Sequence, residues 1–265
     1  MANSLKSKVV LVTGASRGIG KACAIHFASK GAKVAITGRD QGDLQATFDS
    51  MKTVGNDNEV LLVTCDLTDR EKVRFLIDKV VDRFGTIDIL VNNAGQNISG
   101  AIEDLDTTNL NYIFQLNVFG PLWLMQGVIP IMKSRQSGQI INVSSIAGRR
   151  GFPFGGGYCA SKFALNGLTE VARVELAKYN IHVLLVMPAG TDTNFISDTI
   201  RCSQDFVERA NVSLMKPEYV ADQIVKALEK KKRAVIIGNK GKVILTLNWL
   251  SGKIADVLLR KVYKI

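Results

Sequence analysis

The chain has 265 residues, of which 46% are hydrophobic and 22% are charged, and its formal net charge is +10. This composition is typical of a globular protein and excludes a disordered chain, a collagen-like repeat and a disulfide scaffold. A length of this order is commonly a single α/β domain.

The cysteines and the amino terminus favour a reducing compartment. The four cysteines are scattered, with no C-x-x-C pair and no histidine cluster beside them, unlike the ligands of zinc sites or the thiols of redox pairs. We therefore predict no metal site. Residues 1–8 contain no apolar stretch of the kind found in secretory signals, so we expect a cytoplasmic protein.

The basic charge is concentrated at the carboxyl end. Residues 226–265 hold eleven Lys or Arg residues and two acidic residues, whereas the rest of the chain has 23 basic and 22 acidic residues. The main body is therefore nearly neutral, and the carboxyl end is strongly basic.

Short β-branched segments alternate with longer helical segments, which predicts a doubly wound α/β fold with seven parallel strands and helices on both faces. Most strand segments are apolar throughout, as expected for strands covered on both faces. The predicted strands are residues 8–13, 33–37, 60–65, 87–91, 139–143, 181–186 and 234–237. The predicted helices are residues 18–29, 40–54, 69–84, 107–135, 157–178 and 217–230.

A glycine-rich turn, TGASRGIG at residues 13–20, lies between the first predicted strand and the first predicted helix. Glycines permit a sharp turn and a close approach to a pyrophosphate, while the start of the helix offers free N–H groups and a positive dipole end. The strand and helix on either side are the context that a dinucleotide site requires. We expect phosphate contacts from Gly14, Ser16, Arg17, Gly18, Ile19 and Gly20.

The same turn also matches G-x-S-x-G, the elbow that carries the nucleophilic serine of α/β-hydrolases. In that alternative Ser16 would need an acid and then a histidine downstream, and the available histidine is His182. His182 lies inside a predicted strand, which is a poor position for a base carried on a loop. The nucleotide-binding interpretation is therefore favoured.

Further motifs follow the later strands in a fixed order. They read NNAG at 92–95, LNVFG at 116–120, NVSS at 142–145 and YCASK at 158–162. With the glycine turn, they make residues 6 to about 230 resemble the short-chain dehydrogenase/reductase family in its compact form. The resemblance implies one Rossmann-type catalytic domain over residues 1–241, with a substrate lid at about 189–216, followed by a basic amphipathic tail at 242–265.

Tyr158 and Lys162 are four residues apart on a predicted helix, so they share one face. A free tyrosine has a pKa of about 10, and a neighbouring ammonium group favours its phenolate form. This pairing makes Tyr158 a usable acid or base. Ser145 closes a predicted strand, at the edge where open α/β sheets bind their ligands.

The resemblance implies hydride transfer between nicotinamide and a carbonyl or alcohol carbon, with Tyr158 exchanging the proton on the substrate oxygen. Ser145, rather than Ser144, would hydrogen-bond that oxygen, and Asn117 would hold a water in the proton relay. Lys162 would bind the nicotinamide ribose and tune Tyr158, so both also count as cofactor contacts. A non-catalytic NADP-binding regulator is the remaining alternative, which the intact catalytic set disfavours.

The tip of the second predicted strand indicates which nicotinamide is used. NAD-binding relatives carry an acidic residue there to bind the ribose 2′-hydroxyl. This chain has Gly38 followed by Arg39, and Arg17 adds a second cation. Guanidinium groups match phosphate oxygens, which favours NADP(H). NAD(H) stays open if Arg39 only faces solvent and Asp40 caps the next helix.

The remaining cofactor contacts come from the resemblance alone. Asp66 and Leu67 would contact the adenine, Asn93 would lie near its ribose, and Thr193 would bind the nicotinamide amide. The family usually has a glycine after the proline that ends the sixth strand, but this chain has Ala189. We therefore expect altered loop geometry at that point.

The segment before Tyr158 and the predicted lid are apolar, which favours a lipophilic ketone or alcohol as substrate. The stretches at 191–193 and 216–218 are similar to those of reductases of long-chain keto lipids such as 3-ketosphinganine. The apolar residues concerned are Phe152, Phe154, Phe195, Ile196, Ile200, Phe206 and Leu214.

The tail at 242–265 has the pattern of a basic amphipathic helix, which can lie on an anionic membrane surface or pack on the body or in an oligomer interface. The sequence leaves these alternatives open. Nucleic acid is disfavoured as a partner because no recognition module is present and aromatic residues are few. We expect a homodimer or homotetramer.

Overall fold

The computed structural model describes residues 5–54, 59–193, 195–202, 214–263 and 265. Its main sheet has seven parallel strands in the order β3-β2-β1-β4-β6-β7-β9. Those strands are β1 Val9–Thr13, β2 Lys33–Gly38, β3 Val60–Thr64, β4 Ile89–Asn92, β6 Gly138–Val143, β7 Ile181–Pro188 and β9 Ala234–Ile237. Two short strands, β5 Ile98–Ser99 and β8 Ile200–Arg201, form a second parallel sheet.

Helices cover both faces of the main sheet. They are α1 Gly18–Ser29, α2 Gln41–Lys52, α3 Arg70–Phe84, α4 Thr107–Phe114, α5 Gly120–Ser134, α6 Gly156–Leu176, α7 Pro217–Glu229, α8 Asn239–Leu250 and α9 Gly252–Tyr263. Alternate residues of β1 divide between two buried cores, one with Val10 beside α1 and α7 and the other with Leu11 beside α3 and α5. This arrangement explains why the strand segments are apolar throughout.

The predicted α/β class and seven-stranded parallel sheet are confirmed, and each predicted strand agrees with an observed strand to within two residues. One predicted helix differs, because residues 107–135 form two helices joined by a π-helical turn at Gln115–Phe119. Inserted π turns of this kind are common at functional sites. The small β5–β8 sheet was not predicted.

The ligand crevice lies where the order of the strands reverses. β1 pairs with β2 on one side and β4 on the other, so the chain runs outward to β3 and returns across β1 before continuing. In open α/β sheets ligands bind at the carboxyl ends of the strands at such a switch point. The loops after β1 and β4 therefore frame the candidate site.

The carboxyl-terminal tail forms two helices rather than one, and α8 begins at Asn239, so the predicted boundary after residue 241 falls within a helix. The tail packs on the body. Arg150 donates a hydrogen bond to the side chain of Asn248 (2.9 Å) and forms an ion pair with Asp256. Among the described helices, none is both long and apolar enough to cross a membrane.

Candidate active site

A cavity of about 650 Å³ lies at the carboxyl edge of the main sheet. One end is lined by Gly38 and Arg39 at the tip of β2, the middle by the glycine turn after β1 and the loop after β4, and the other end by Tyr158, Phe195 and Tyr263. The cavity therefore joins the predicted phosphate-binding turn to the predicted acid or base.

The glycine turn is held in a tight conformation. Gly14 and Gly18 have φ values of +61° and +58°, which side-chain-bearing residues rarely adopt. A Cβ at Gly14 would lie 2.7 Å from the Cα of Ala94, and one at Gly18 would lie 2.8 Å from a methyl of Thr193. A Cβ at Gly20 would overlap the carbonyl of Gly14. No side chain fits at these three positions, so the turn packs tightly against its neighbours. Gly14, Ser16 and Gly18 of the turn line the cavity, and this part of its wall is called the glycine cradle.

Asn93 helps to hold this turn. Its side-chain nitrogen donates to the carbonyls of Thr13 (2.9 Å) and Gly14 (3.1 Å), while the hydroxyl of Thr13 accepts from the backbone N–H of Asn93 (3.0 Å) and of Ala94 (3.1 Å). These bonds tie the end of β4 to the end of β1. Asn93 also lines the cavity, and its predicted contact with a ribose stays a prediction.

The tip of β2 is closely packed where NAD-binding relatives carry an acid. A Cβ at Gly38 would overlap the hydroxyl of Ser16, so the site has no room for an acidic side chain without a shift. Arg39 lines the cavity and donates to the hydroxyl of Tyr112. Arg39 is also exposed, and Asp40 caps α2 by accepting from the N–H of Asp43 (2.8 Å). These are the two conditions under which NAD(H) stays an alternative cofactor.

Arg17 is the N-cap residue before α1 and forms an ion pair with Asp198 of the lid segment. Both side chains are substantially exposed, at 52% and 38%. The ion pair holds the lid segment at the edge of the glycine turn. A phosphate bound beside Arg17 would compete with the Asp198 carboxylate for the guanidinium group.

Asp66 and Leu67 follow β3, and Leu67 lines the cavity. The carboxylate of Asp66 instead accepts from the N–H (3.0 Å) and hydroxyl (2.8 Å) of Thr68. Burial alone would raise the pKa of Asp66, but the Thr68 hydrogen bonds and the nearby charge of Arg39 lower it overall. Asp66 thus shapes the loop that presents Leu67.

Tyr158 and Lys162 lie on one face of α6, as predicted. The Lys162 ammonium nitrogen is 5.7 Å from the centroid of the Tyr158 ring and donates to the carbonyl of Val143 (3.0 Å). Lys162 is only 3% exposed, and burial lowers the pKa of its ammonium group to about 8. The ring of Phe195 meets Tyr158 edge-on at 5.4 Å. An ammonium group beneath the phenol is the arrangement that favours a phenolate.

The structure separates the two adjacent serines. Ser144 is 4% exposed, and its hydroxyl points at the carbonyl of Lys162 (3.5 Å). Both serines line the cavity, but Ser145 is less buried, and its oxygen accepts from the N–H of Ala147 (3.1 Å). A hydroxyl that accepts one bond still has its own hydrogen to donate, so Ser145 suits the substrate-binding role better than Ser144.

Asn117 is fully buried in the π turn and does not line the cavity. Its nitrogen donates to the carbonyl of Gln96 (2.9 Å) and the hydroxyl of Ser161 (3.0 Å), and its oxygen accepts from the N–H of Gln96 (2.9 Å). These bonds hold the loop after β4 against α6. A Cβ at Gly95 would lie 3.1 Å from the Asn117 oxygen and 3.4 Å from the Lys162 nitrogen, so Asn117 lies beside the buried ammonium. Its predicted water relay stays a prediction.

The loop after β7 accommodates Ala189 in place of the family glycine. The N–H of Ala189 donates to the carbonyl of Ile237 (2.9 Å). A Cβ at Gly238 would lie 3.0 Å from the Ala189 methyl, and one at Gly241 would lie 3.2 Å from it. Two glycines after β9 therefore make room for the methyl, and Thr193 still reaches the glycine turn.

The lid agrees only in part with the sequence interpretation. Phe195 and Ile196 line the cavity, whereas Ile200 pairs with Ile98 in the small sheet. Leu214 is exposed, and Phe206 lies outside the described residues. Sequence reasoning missed Tyr263, whose ring lies 6.3 Å from that of Phe154 and lines the cavity. The available sequence signal was that Tyr263 follows Ala255 and Leu259 at intervals of four residues, which places the three on one face of α9.

The hydrolase alternative is not supported by this geometry. His182 is the second residue of β7, at the amino edge of the sheet, whereas Ser16 follows the carboxyl end of β1. Six strand residues at about 3.3 Å each separate His182 from the edge that carries the cavity. Among the described residues, no group of three His, Cys, Asp or Glu side chains is placed to hold a metal ion.

Several known proteins are similar to this chain in sequence and in architecture. The family model described as short chain dehydrogenase matches residues 8–201. A 3-ketodihydrosphingosine reductase of Bos taurus is 35% identical over 90% of this chain and 73% of its own length. A short-chain dehydrogenase of Streptomyces avermitilis superposes with a TM-score of 0.84 at 30% identity, over 98% of both chains.

A solved alcohol dehydrogenase from the archaeon Thermococcus sibiricus, complexed with 5-hydroxy-NADP, superposes with a TM-score of 0.77 at 25% identity, over 88% of this chain and 96% of its own. The sheet order, glycine turn and Tyr158–Lys162 pair thus agree with an independent sequence match over most of the chain. This chain is an oxidoreductase of the short-chain dehydrogenase family.

Proposed function

We propose that the chain transfers a hydride between NADP(H) and the carbonyl or hydroxyl carbon of a lipophilic compound, in the class of keto lipids or steroid-like ketones. One observation carries the proposal. A single cavity connects the glycine cradle at the start of α1 to a tyrosine that lies near a buried lysine. A dinucleotide in that cavity would reach from the cradle to Tyr158.

The residues of the chain fit a nicotinamide dinucleotide. The start of α1 and the glycine cradle suit the phosphates. Thr193, beside Gly18, and Lys162, beside Tyr158, line the part of the cavity into which the nicotinamide half would extend. When bound, the nicotinamide supplies the hydride in reduction and accepts it in oxidation.

Tyr158 performs the proton chemistry in this proposal. In reduction its hydroxyl donates a proton to the substrate oxygen as the carbonyl carbon gains the hydride, which leaves an alcohol and a phenolate. The Lys162 ammonium group stabilises that phenolate. Ser145 donates a hydrogen bond to the same oxygen and fixes its position. Oxidation reverses each step.

The preference for NADP(H) rests on the tip of β2. A Cβ at Gly38 would overlap the hydroxyl of Ser16, so an acid that binds a 2′-hydroxyl would fit there only if the Ser16 side chain moved. Arg39 and Arg17 both line the cavity, Arg39 directly after Gly38 and Arg17 within the glycine turn. Guanidinium groups there suit a 2′-phosphate.

The class of substrate is inferred from the far end of the cavity. Its wall there consists of aromatic and aliphatic side chains from three separate segments, and such walls bind apolar ligands. A relative named 3-ketodihydrosphingosine reductase acts, by its name, on a long-chain keto lipid. The wall residues are Phe152, Phe154, Phe195, Ile196 and Tyr263.

The test follows NADPH and NADH consumption with a panel of long-chain keto lipids, steroid ketones and small ketones. We expect turnover with NADPH on a lipophilic ketone, and a loss of about 1,000-fold in kcat for Tyr158→Phe with NADPH binding unchanged. Tyr179→Phe, which alters a tyrosine away from the cavity, is the control. Retained turnover in Tyr158→Phe would contradict the acid or base role, and cofactor binding without turnover on any ketone would favour the regulator.

We propose that the chain forms a homo-oligomer, because the side of the protein around α6 exposes large apolar side chains. α6 exposes Phe163, Val171 and Val174 at 46%, 56% and 76%, and Phe119, the last residue of the π-helical turn before α5, is 39% exposed. Large exposed apolar surfaces are a mark of protein interfaces. Sedimentation velocity on the wild type and on Val174→Asp tests this, with a dimer or tetramer expected for the wild type and dissociation for the variant.

A further inference from the structure

The outer face of the tail helices carries an unusual density of exposed apolar side chains. Eight large hydrophobic residues of α8, α9 and the last position are at least 42% exposed, and Trp249 reaches 83%. Large apolar residues scattered singly on a surface are ordinary, but a contiguous set indicates an interaction site. They are Val243, Trp249, Leu250, Ile254, Val257, Leu258, Val262 and Ile265.

This face is distinct from the face of α9 that packs on the body. Ala255, Leu259 and Tyr263 are buried at intervals of four residues, whereas Ile254, Leu258 and Val262 repeat at the same interval one position earlier and are exposed. Residues four apart share a helix face. α9 therefore has one apolar stripe toward the protein and a second toward the outside.

The polar side chains around the outer face are mostly cationic. α8 and α9 contain Lys240, Lys242, Lys253, Arg260 and Lys261, all exposed, and the acidic residue of these helices, Asp256, is paired with Arg150 of the body. Apolar side chains among cations are the features of a helix that lies on an anionic membrane surface.

We propose that the outer face of α8 and α9 docks on an anionic lipid bilayer. A second copy of the chain is a poorer occupant, because a two-fold interface brings the same patch of each copy together and would place like charges opposite one another. A bilayer with anionic headgroups instead attracts the cations and accepts the apolar side chains at its acyl boundary.

The attachment of the tail gives this docking a consequence for the cavity. Arg150 holds α8 through Asn248 and α9 through Asp256, so the outer face has a fixed orientation on the body. Tyr263, on the inner stripe of α9, lines the cavity and contacts the ring of Phe154. Docking would therefore place the apolar end of the cavity one helix away from the bilayer.

Co-sedimentation with vesicles tests the proposal on the full chain. We expect binding to vesicles of phosphatidylcholine mixed with phosphatidylserine, weaker binding at high salt, and little binding to phosphatidylcholine alone. Lys253→Gln combined with Lys261→Gln should weaken binding about 30-fold, since each cation near an anionic surface contributes about one fivefold factor. Arg74→Gln combined with Lys79→Gln, two exposed cations of α3, is the matched control and should bind as the wild type does.

A separate variant tests whether the apolar side chains of the outer face contribute to vesicle binding. Trp249→Ala should weaken vesicle binding, whereas Phe75→Ala, an exposed aromatic residue of α3, should not. In a Trp123→Phe background, the emission of Trp249 should shift to shorter wavelength when anionic vesicles are added. Absent vesicle binding, or binding that the tail variants leave unchanged, would overturn the proposal. A tail variant that lowers the oligomeric state without changing vesicle binding would also overturn it and assign the face to a second copy.

Discussion

The two ends of the cavity are built in different ways. The cofactor end is formed by backbone and glycine positions of short, local loops, held by hydrogen bonds such as those from Asn93 to the glycine turn. The substrate end is formed by side chains from three segments that are far apart in the sequence, with Phe154, Phe195 and Tyr263 meeting around Tyr158. The first end tolerates little change, whereas the second can be altered one side chain at a time.

Arg39→Asp tests whether the cofactor end selects its ligand by charge. We expect NADPH affinity to fall about 10- to 100-fold, since charge-assisted hydrogen bonds to a phosphate contribute about 1.5–3 kcal/mol. NADH affinity should change little. Titration of both cofactors into the variant measures the ratio, with Lys52→Asp on α2 as the control. An unchanged ratio would remove Arg39 from the cofactor site.

Gly20→Ala tests the rigidity of the same end. The added Cβ overlaps the carbonyl of Gly14, so we expect a loss of about 1–3 kcal/mol in the free energy of unfolding and weaker cofactor binding. Gly167→Ala on α6, where a Cβ meets no atom within 4 Å, is the control and should be neutral or stabilising by up to about 1 kcal/mol. Denaturant unfolding of both variants provides the measurement. If both variants change the free energy of unfolding equally, the glycine turn has more space at Gly20 than the structure shows.

Tyr263→Ala tests whether the tail belongs to the substrate end. Removing the ring from the cavity wall should lower kcat/KM about tenfold for a lipophilic ketone and leave small ketones and NADPH binding unaffected. Tyr219→Ala, at a tyrosine that is 51% exposed on α7, is the control. A uniform loss for all substrates would instead assign Tyr263 to stability.

Burial of Lys162 should make the free energy of unfolding of the cofactor-free protein depend on pH, and this effect is smaller than those above. Its folded pKa of about 8 is below the unfolded value of about 10.4, so the unfolded chain binds more protons between these values. The free energy of unfolding of the wild type should therefore carry the full burial penalty below pH 8 and recover as pH rises toward 10. Lys162→Met lacks this dependence, so its stability advantage over the wild type should shrink as pH rises. A constant difference from pH 7 to pH 10 would contradict the buried ammonium.

Much of the cofactor end could be predicted from the sequence, because its determinants are local. A glycine turn between a strand and a helix, a glycine at the tip of β2 and a Tyr-x-x-x-Lys pair on one helix each define their geometry within a few residues. The contacts of Asn117 could not be read in this way. Its side chain bonds to Gln96 and Ser161, which lie 21 and 44 residues away, so these partners are set by packing rather than by spacing.

The sequence by itself determined the fold class and the order of the strands of the main sheet, and it predicted the residues proposed for the chemistry, because hydrophobic periodicity and motif spacing act over short distances. Only the tertiary structure decided which side chains close the far end of the cavity and how the basic tail is attached. Arg150 reaches across about a hundred residues to hold α8 and α9, and Tyr263 of α9 lines the cavity. Such contacts depend on the packed positions of distant elements, which no local pattern encodes.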